Sequence, residues 1–246
     1  MDFALLLVAA VLAGSLNAVA GGGSFLTFPA LVFTGVPPII ANASSTVATS
    51  PGSFASAWAY RRDFVPFRQV GLWPMLAVSL VGGTAGALLL LWTPARTFDR
   101  LIPWLLLGAT LLFGFGRQLT PLLLRLFTIG PASLLAIQFL IAIYGGYFGG
   151  AIGILMLALF GLFGLEDMNA MNASKTLLAG TLNAAAVVCF ILAGKVLWPQ
   201  TLVMLAGALL GGYAGARIGR RIDPGWLRLG VTVVGLAMSA AFFIKS

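Results

Sequence analysis

Residues 145–183 read GGYFGGAIGILMLALFGLFG, then LEDMNAM, then NASKTLLAGTLN. A glycine-broken apolar run passes through a short acidic stretch into a helix that opens with Asn172, Ser174, Lys175 and Thr176. Lys175 is the only lysine or arginine beside a hydrophobic run that shares a helical face with amides and hydroxyls. At about 100° per residue, Asn172, Lys175, Thr176, Ala179 and Asn183 fall on one side of that helix. In apolar surroundings such a face must turn towards protein or a water-filled cavity, not towards lipid.

The rest of the chain says that the surroundings are apolar. Of 246 residues, 60% are hydrophobic and 8% charged, and the mean hydropathy is +1.05. A soluble domain carries roughly 25% charged residues. Apolar runs of about 20 residues, enough to cross a hydrocarbon core of about 30 Å, recur along the whole length. No stretch is polar enough to form a separate soluble domain. The expected fold is all-α: a polytopic helical membrane protein with about 8–10 membrane segments, some short and broken or re-entrant. The segments read 3–20, 24–36, 41–60, 70–92, 99–116, 131–149, 151–164, 171–193, 199–218 and 226–244. The second and seventh are too short to span and read as half-helices or re-entrant pieces.

The chain repeats itself. An offset of 130 residues places Gly23 on Gly153, Asn42 on Asn172, Ser44 on Ser174 and Thr46 on Thr176. An offset of 129 places Gly82, Gly83 and Gly86 on Gly211, Gly212 and Gly215. A single transporter domain is expected, with repeat one over about 1–116, a linker at 117–130 and repeat two over about 131–246. Duplication of this kind is common in secondary transporters, whose substrate sits at the repeat interface.

Loop charges bear on orientation. The basic cluster of the first half (Arg61, Arg62, Arg68) follows the third segment, whereas that of the second (Arg217, Arg220, Arg221, Arg228) follows the fourth. If both clusters are cytoplasmic, the halves are inverted, both termini lie outside and the Arg117/Arg125 linker lies inside. Arg96 and Arg100 on the outside and the acidic loop at Glu166-Asp167 on the inside run against that pattern. The N-terminus, Met1-Asp2 without a basic region, reads as the first helix of the mature protein rather than a cleaved signal.

The net charge of +8 is spread over short loops, so no basic domain exists to bind nucleic acid. One cysteine, Cys189, allows no intrachain disulfide, and histidine is absent. Asp2, Asp63, Asp99, Glu166, Asp167 and Asp223 all fall in loops or at segment ends, which leaves no carboxylate relay in the membrane. No P-loop, catalytic pair or metal-ligand spacing is present. Neither enzymatic activity nor a cofactor is expected.

What remains is a site for a small anion. On the third segment Asn42, Ser45, Thr46, Thr49, Ser53 and Ser56 form a second polar face, the repeat partner of the first. Hydroxyls, helix N-termini and the Lys175 ammonium suit an oxyanion. Pro51 is expected to kink that segment. Glycines in Gly21-Gly22-Gly23 and Gly145–Gly153 either unwind the backbone or let helices cross closely. The triple glycine, followed by Ser24, favours unwinding. The expected substrate ligands are Lys175, Asn172, Ser174, Thr176, Asn183, Asn42, Ser45, Thr46, Thr49, Gly22, Gly23 and Ser24. Against this, Asn42 and Asn172 suit helix N-caps, and Lys175 could snorkel to the interface.

These motifs resemble the TauE/SafE family of sulfite and organosulfur exporters. The resemblance lies in GGGSFLTFPALVFTGVPPIIANASSTVATSPGS in the first half. In the second it runs from GGYFGGAIGILMLALFG through NASKTLLAGTLNAAAVVCFILAGKVLWP to GALLGGYAGARIGRRI. It implies a multi-pass protein of the bacterial inner membrane that moves sulfite, sulfoacetate or a related anion outward. The partners expected are that anion and the lipid bilayer, and a homodimer is allowed. Rival readings are a transporter of another small solute and a non-transporting assembly subunit, which the glycine-rich helix faces would permit.

Overall fold

A computed structural model describes residues 3–19, 22–65, 67, 70–126, 130–218 and 224–245. Asp2, Gly21, Arg68, Arg220, Arg221 and Asp223 lie outside the described residues, as do the side chains of Arg117, Arg125 and Arg228. Among the described residues the chain forms ten α-helices. In the first half these are α1 (Phe3–Val19), α2 (Ser24–Phe33), α3 (Pro38–Ala59), α4 (Leu72–Trp92) and α5 (Ala95–Leu126). The second half supplies α6 (Pro131–Tyr147), α7 (Ile152–Leu162), α8 (Met168–Leu192), α9 (Trp198–Ile218) and α10 (Pro224–Lys245).

Their lengths fit a bilayer. At about 1.5 Å per residue, α4 is about 31 Å long, the thickness of a hydrocarbon core. Trp73 and Trp92 stand exposed near its two ends, where an aromatic belt places them. α4 and α8 are both long and apolar enough to cross a membrane. By contrast α2 and α7, with 10 and 11 residues, reach only half-way. The protein is a helical membrane protein, as its composition requires.

Two boundaries differ from the sequence reading. α5 continues through the expected linker to Leu126, with Pro121 inside it, because the surrounding leucine-rich run favours helix. α3 and α8 begin at Pro38 and Met168, earlier than expected, so Asn42 and Asn172 lie in the second turn rather than at the cap. The cap of α8 is Asp167, whose carboxylate accepts from the Asn169 and Ala170 N–H groups at 2.7 and 3.2 Å. α3 starts instead on Pro37-Pro38, with φ preset for the first turn. α3 is unbroken through Pro51.

Glycines set which helices touch. Gly207, Gly211 and Gly215 of α9 lie successively on Leu7, Val11 and Ser15 of α1, so the two helices run the same way. Gly52 of α3 rests on the Ala208 carbonyl, and the Ser56 hydroxyl donates to the Gly212 carbonyl at 3.0 Å, which makes α3 parallel to α9 as well. Gly82 and Gly86 of α4 rest in the same fashion on Phe139 and Ile143 of α6, and Gly83 on Leu182 of α8. α8 runs against α3, since Phe54 faces Gly180 while Tyr60 clusters with Ala173. Ala216 and Ala18 join that cluster, so the α3 end bearing Arg61 and Arg62 and the α9 end bearing Arg217 lie together.

The packing obeys an exchange rule. α1 pairs with α9 as α6 pairs with α4, and α3 pairs with α9 as α8 pairs with α4. α3 meets α8, and α5 meets α10. With little hydrophobic force between helices in lipid, close backbone approach at glycine is what holds such pairs.

Candidate functional site

The two short helices begin where the chain breaks, and the breaks meet. In the first half, Oδ1 of Asn17, still within α1, accepts from the N–H groups of Gly22 and Gly23 at 3.0 and 2.7 Å. One side chain thus satisfies two donors that the unwound backbone would leave bare. A Cβ at Gly23 would strike the Ala13 carbonyl and the Asn17 amide, so this approach needs glycine. In the second half, Gly149 and Ala151 take φ of +78° and +59°. Ala151 is the one non-glycine residue with positive φ among the described residues, a conformation costing about 1–2 kcal/mol. The glycines of the second half therefore divide their work. Gly146 packs on the Gly83 backbone, and Gly149 turns the chain. The Ser24 hydroxyl, at the start of α2, donates to the Gly149 carbonyl at 3.0 Å and joins the two breaks.

Between the breaks and the two long polar helices lies a cleft of about 30 Å³, room for about two waters. α3 contributes Ser45, Thr46, Thr49 and Ser53 to its wall. α8 contributes Lys175, Thr176, Ala179 and Asn183. The breaks add Asn17, Ser24, Phe148 and Gly149, and the first turn of α7 adds Ile152 and Gly153. The N-terminal ends of α2 and α7 both face this space with their partial positive charge.

Among the described residues Lys175 supplies the only formal charge in the lining, and it is 1% exposed. It does not snorkel. Nζ donates to Oδ1 of Asn172 at 2.7 Å and to the Ala18 carbonyl at the end of α1 at 3.3 Å. No carboxylate lines the cleft among the described residues. Burying an ammonium costs several kcal/mol unless an opposite charge or a full set of acceptors compensates, and two neutral oxygens leave its third N–H for the cleft.

Of the twelve residues read from sequence, seven line the cleft: Lys175, Thr176, Asn183, Ser45, Thr46, Thr49 and Ser24. Five do not. Asn172 stands behind Lys175 and holds it. Asn42 donates from Nδ2 to the Tyr147 carbonyl at 2.9 Å and so caps the broken end of α6. Ser174 is fully buried away from the cleft, and its Oγ has no hydrogen-bond partner among the described residues. Gly22 and Gly23 form the break and are held by Asn17. Sequence reasoning missed Asn17. Its signal was a lone amide in an apolar helix, five residues ahead of Gly22-Gly23.

A charged polar cleft between broken half-helices, inside an apolar helical bundle, is the arrangement of a membrane transporter's interior. The comparison of sequences agrees. The chain belongs to the TauE/SafE sulfite exporter family, whose model matches residues 6–242. It is 31% identical over 244 residues to a probable membrane transporter protein of Haemophilus influenzae, covering 96% of this chain and 92% of that one. It is 32% identical over 243 residues to the probable membrane transporter protein YfcA of Escherichia coli, covering 98% and 90%. A probable membrane transporter protein, ORF9, of a Sinorhizobium species is 31% identical over 225 residues, covering 87% and 82%. No solved structure matches the chain.

Proposed function

We propose that the protein is a multi-pass secondary transporter of the bacterial cell membrane that exports a small sulfur-containing oxyanion, such as sulfite or sulfoacetate. The observation that carries this reading is Lys175, a buried ammonium that faces the cleft with no described carboxylate beside it. An anion arriving between the N-terminal ends of α2 and α7 would supply the missing charge. The cleft has room for only about two waters, so passage of the anion requires its walls to part.

The exchange rule in helix packing supports an inverted repeat, with α1–α5 and α6–α10 as the two copies. α3 and α8 would be equivalent elements inserted in opposite directions. With Arg61, Arg62 and Arg217 at one end, the positive-inside rule makes that end cytoplasmic. No described carboxylate lies at the site, so coupling falls to the substrate's own gradient, the membrane potential or a proton carried by the substrate.

The test is flux of labelled sulfite from proteoliposomes containing the purified protein. Wild type should move sulfite without a partner protein, and Lys175→Ala, checked for monodispersity, should lose about a hundredfold, or about 2.7 kcal/mol. Normal flux through Lys175→Ala would remove Lys175 from the site. Transport that is spared or improved by Lys175→Glu would point to a neutral or cationic solute instead.

A further inference from the structure

The hydrogen bonds made by the cleft's hydroxyls have directions, and those directions narrow the substrate. A carbonyl oxygen can only accept, so a hydroxyl bonded to one has spent its proton there. Thr46 donates to the Asn42 carbonyl at 3.0 Å, and Thr49 to the Ser45 carbonyl at 2.8 Å. Thr176 is spent on the Asn172 and Ala173 carbonyls at 2.8 and 3.1 Å, and Ser24 on Gly149 at 3.0 Å. Thr27 donates to the Gly23 carbonyl at 3.2 Å, so in its 2.6 Å contact with Ser45 the proton comes from Ser45. Five hydroxyls that line the cleft (Ser24, Ser45, Thr46, Thr49, Thr176) therefore turn lone pairs towards it rather than protons.

Ser53, further along α3, makes no such bond among the described residues and keeps its proton, and the other donors come from the remaining walls. Oδ1 of Asn17 is held by Gly22 and Gly23, which leaves its Nδ2 hydrogens for the cleft. Lys175 keeps its third N–H, and Asn183 offers both a donor and an acceptor. The cleft is thus two-faced. Lys175 and Asn17 give a donor side where α1 and α8 meet, and Ser45, Thr46 and Thr49 of α3 give an acceptor side. A fully deprotonated oxyanion satisfies only the donors and sets its oxygens against the lone pairs of Ser45, Thr46 and Thr49.

We infer that the site selects a monoanion that carries an O–H of its own: the protonated form of a sulfur oxyanion, or a small sulfonate with a hydroxyl. This rests on the anion reading above and sharpens it. Such a substrate puts its charged oxygens on Lys175 and Asn17 and its hydroxyl proton on the α3 wall. If that proton is acidic, it crosses the membrane with the anion, and no protein carboxylate is needed.

Hydroxymethanesulfonate and ethanesulfonate are a matched pair, equal in charge and close in shape, in which a hydroxyl replaces a methyl. Their binding to the purified protein is measured by thermal stabilisation at mildly acidic pH, where the hydroxyl compound is stable. Wild type should bind hydroxymethanesulfonate about tenfold tighter, the worth of one hydrogen bond. Thr49→Val keeps the shape of the wall and removes an acceptor. It should bring the two ligands towards parity by weakening hydroxymethanesulfonate more than ethanesulfonate, and Thr46→Val provides the same test one turn away. Equal binding by wild type, or an undiminished preference in both variants, overturns the inference and leaves the anion reading standing. If neither sulfonate binds, the anion reading fails and takes this inference with it.

Discussion

Asn42 and Asn172 occupy matching places on α3 and α8 and do different work. Asn42 reaches across to the Tyr147 carbonyl at the broken end of α6. Asn172 stays on its own helix and grips Lys175, which makes the equivalent crossing to the Ala18 carbonyl at the broken end of α1. Each polar helix therefore ties itself to the first helix of the other half, once with an amide and once with an ammonium. The residue of α3 that corresponds to Lys175 is Ser45, and its hydroxyl turns away to Thr27. Shared architecture fixes where the two walls stand, and one lysine decides which of them is charged.

The largest effect that bears on the shared part comes from the glycines. A Cβ on Gly83 would fall on the Leu182 carbonyl, and one on Gly212 on the carbonyl of Gly52, the residue that matches Leu182 under the 130-residue offset. Gly83→Ala and Gly212→Ala should each cost about 2 kcal/mol through forced separation of packed backbones. That corresponds to about 4–8 °C in the apparent melting temperature of the detergent-solubilised protein. Gly108→Ala, on an open face of α5, should be neutral or slightly stabilising. A large loss at one of Gly83 and Gly212 with none at the other would break the equivalence of the halves.

A smaller effect separates the asparagines. Asn42→Ala leaves the Tyr147 carbonyl without its partner and should lower stability by about 1 kcal/mol, with flux reduced in proportion to folded protein. Asn172→Ala removes the nearer acceptor of Lys175 and should reduce flux by more than its effect on melting explains. Measuring melting and flux on both variants sharpens the difference. Equal ratios of the two would mean that Asn172, like Asn42, only braces the fold.

Much of this was legible in the sequence because a membrane enforces simple rules. Apolar runs had to become helices, so all ten segments were found, and two were too short to span. The polar faces of α3 and α8 could be placed because a polar stripe in such a helix has few places to point. Six of the seven expected ligands that line the cleft followed from that alone, and Ser24 followed from the triple glycine before it. The rest depended on contacts far apart in the chain. That Asn42 faces α6 rather than the cleft is a matter of how α3 is rotated, which periodicity does not fix. Asn17 matters only because the N–H groups of Gly22 and Gly23 reach its Oδ1. The direction of each hydroxyl's bond was invisible, since it depends on which carbonyl lies one turn back and whether a neighbour competes. The fifth segment was ended at 116, whereas the leucine-rich run beyond it carries α5 on to Leu126 despite Pro121.

The smallest effect concerns how the two polar helices begin, and it separates two ways of holding an anion. If the start of α8 were itself the anion site, its free N–H groups would be the ligands. Asp167 already occupies that place, with its carboxylate on the Asn169 and Ala170 N–H groups. α3 manages without a side-chain cap because Pro37 and Pro38 preset its first turn. Asp167→Ala should therefore cost about 1 kcal/mol, the worth of a cap, and lower the melting temperature by about 2–4 °C. Asp167→Asn, which retains a capping oxygen, should cost less. Neither change touches the cleft, so sulfite flux per folded molecule should match wild type. If Asp167→Ala instead alters anion affinity while the melting temperature moves only as far as a lost cap predicts, then the start of α8 belongs to the site, and the charge on Lys175 is not its sole attraction.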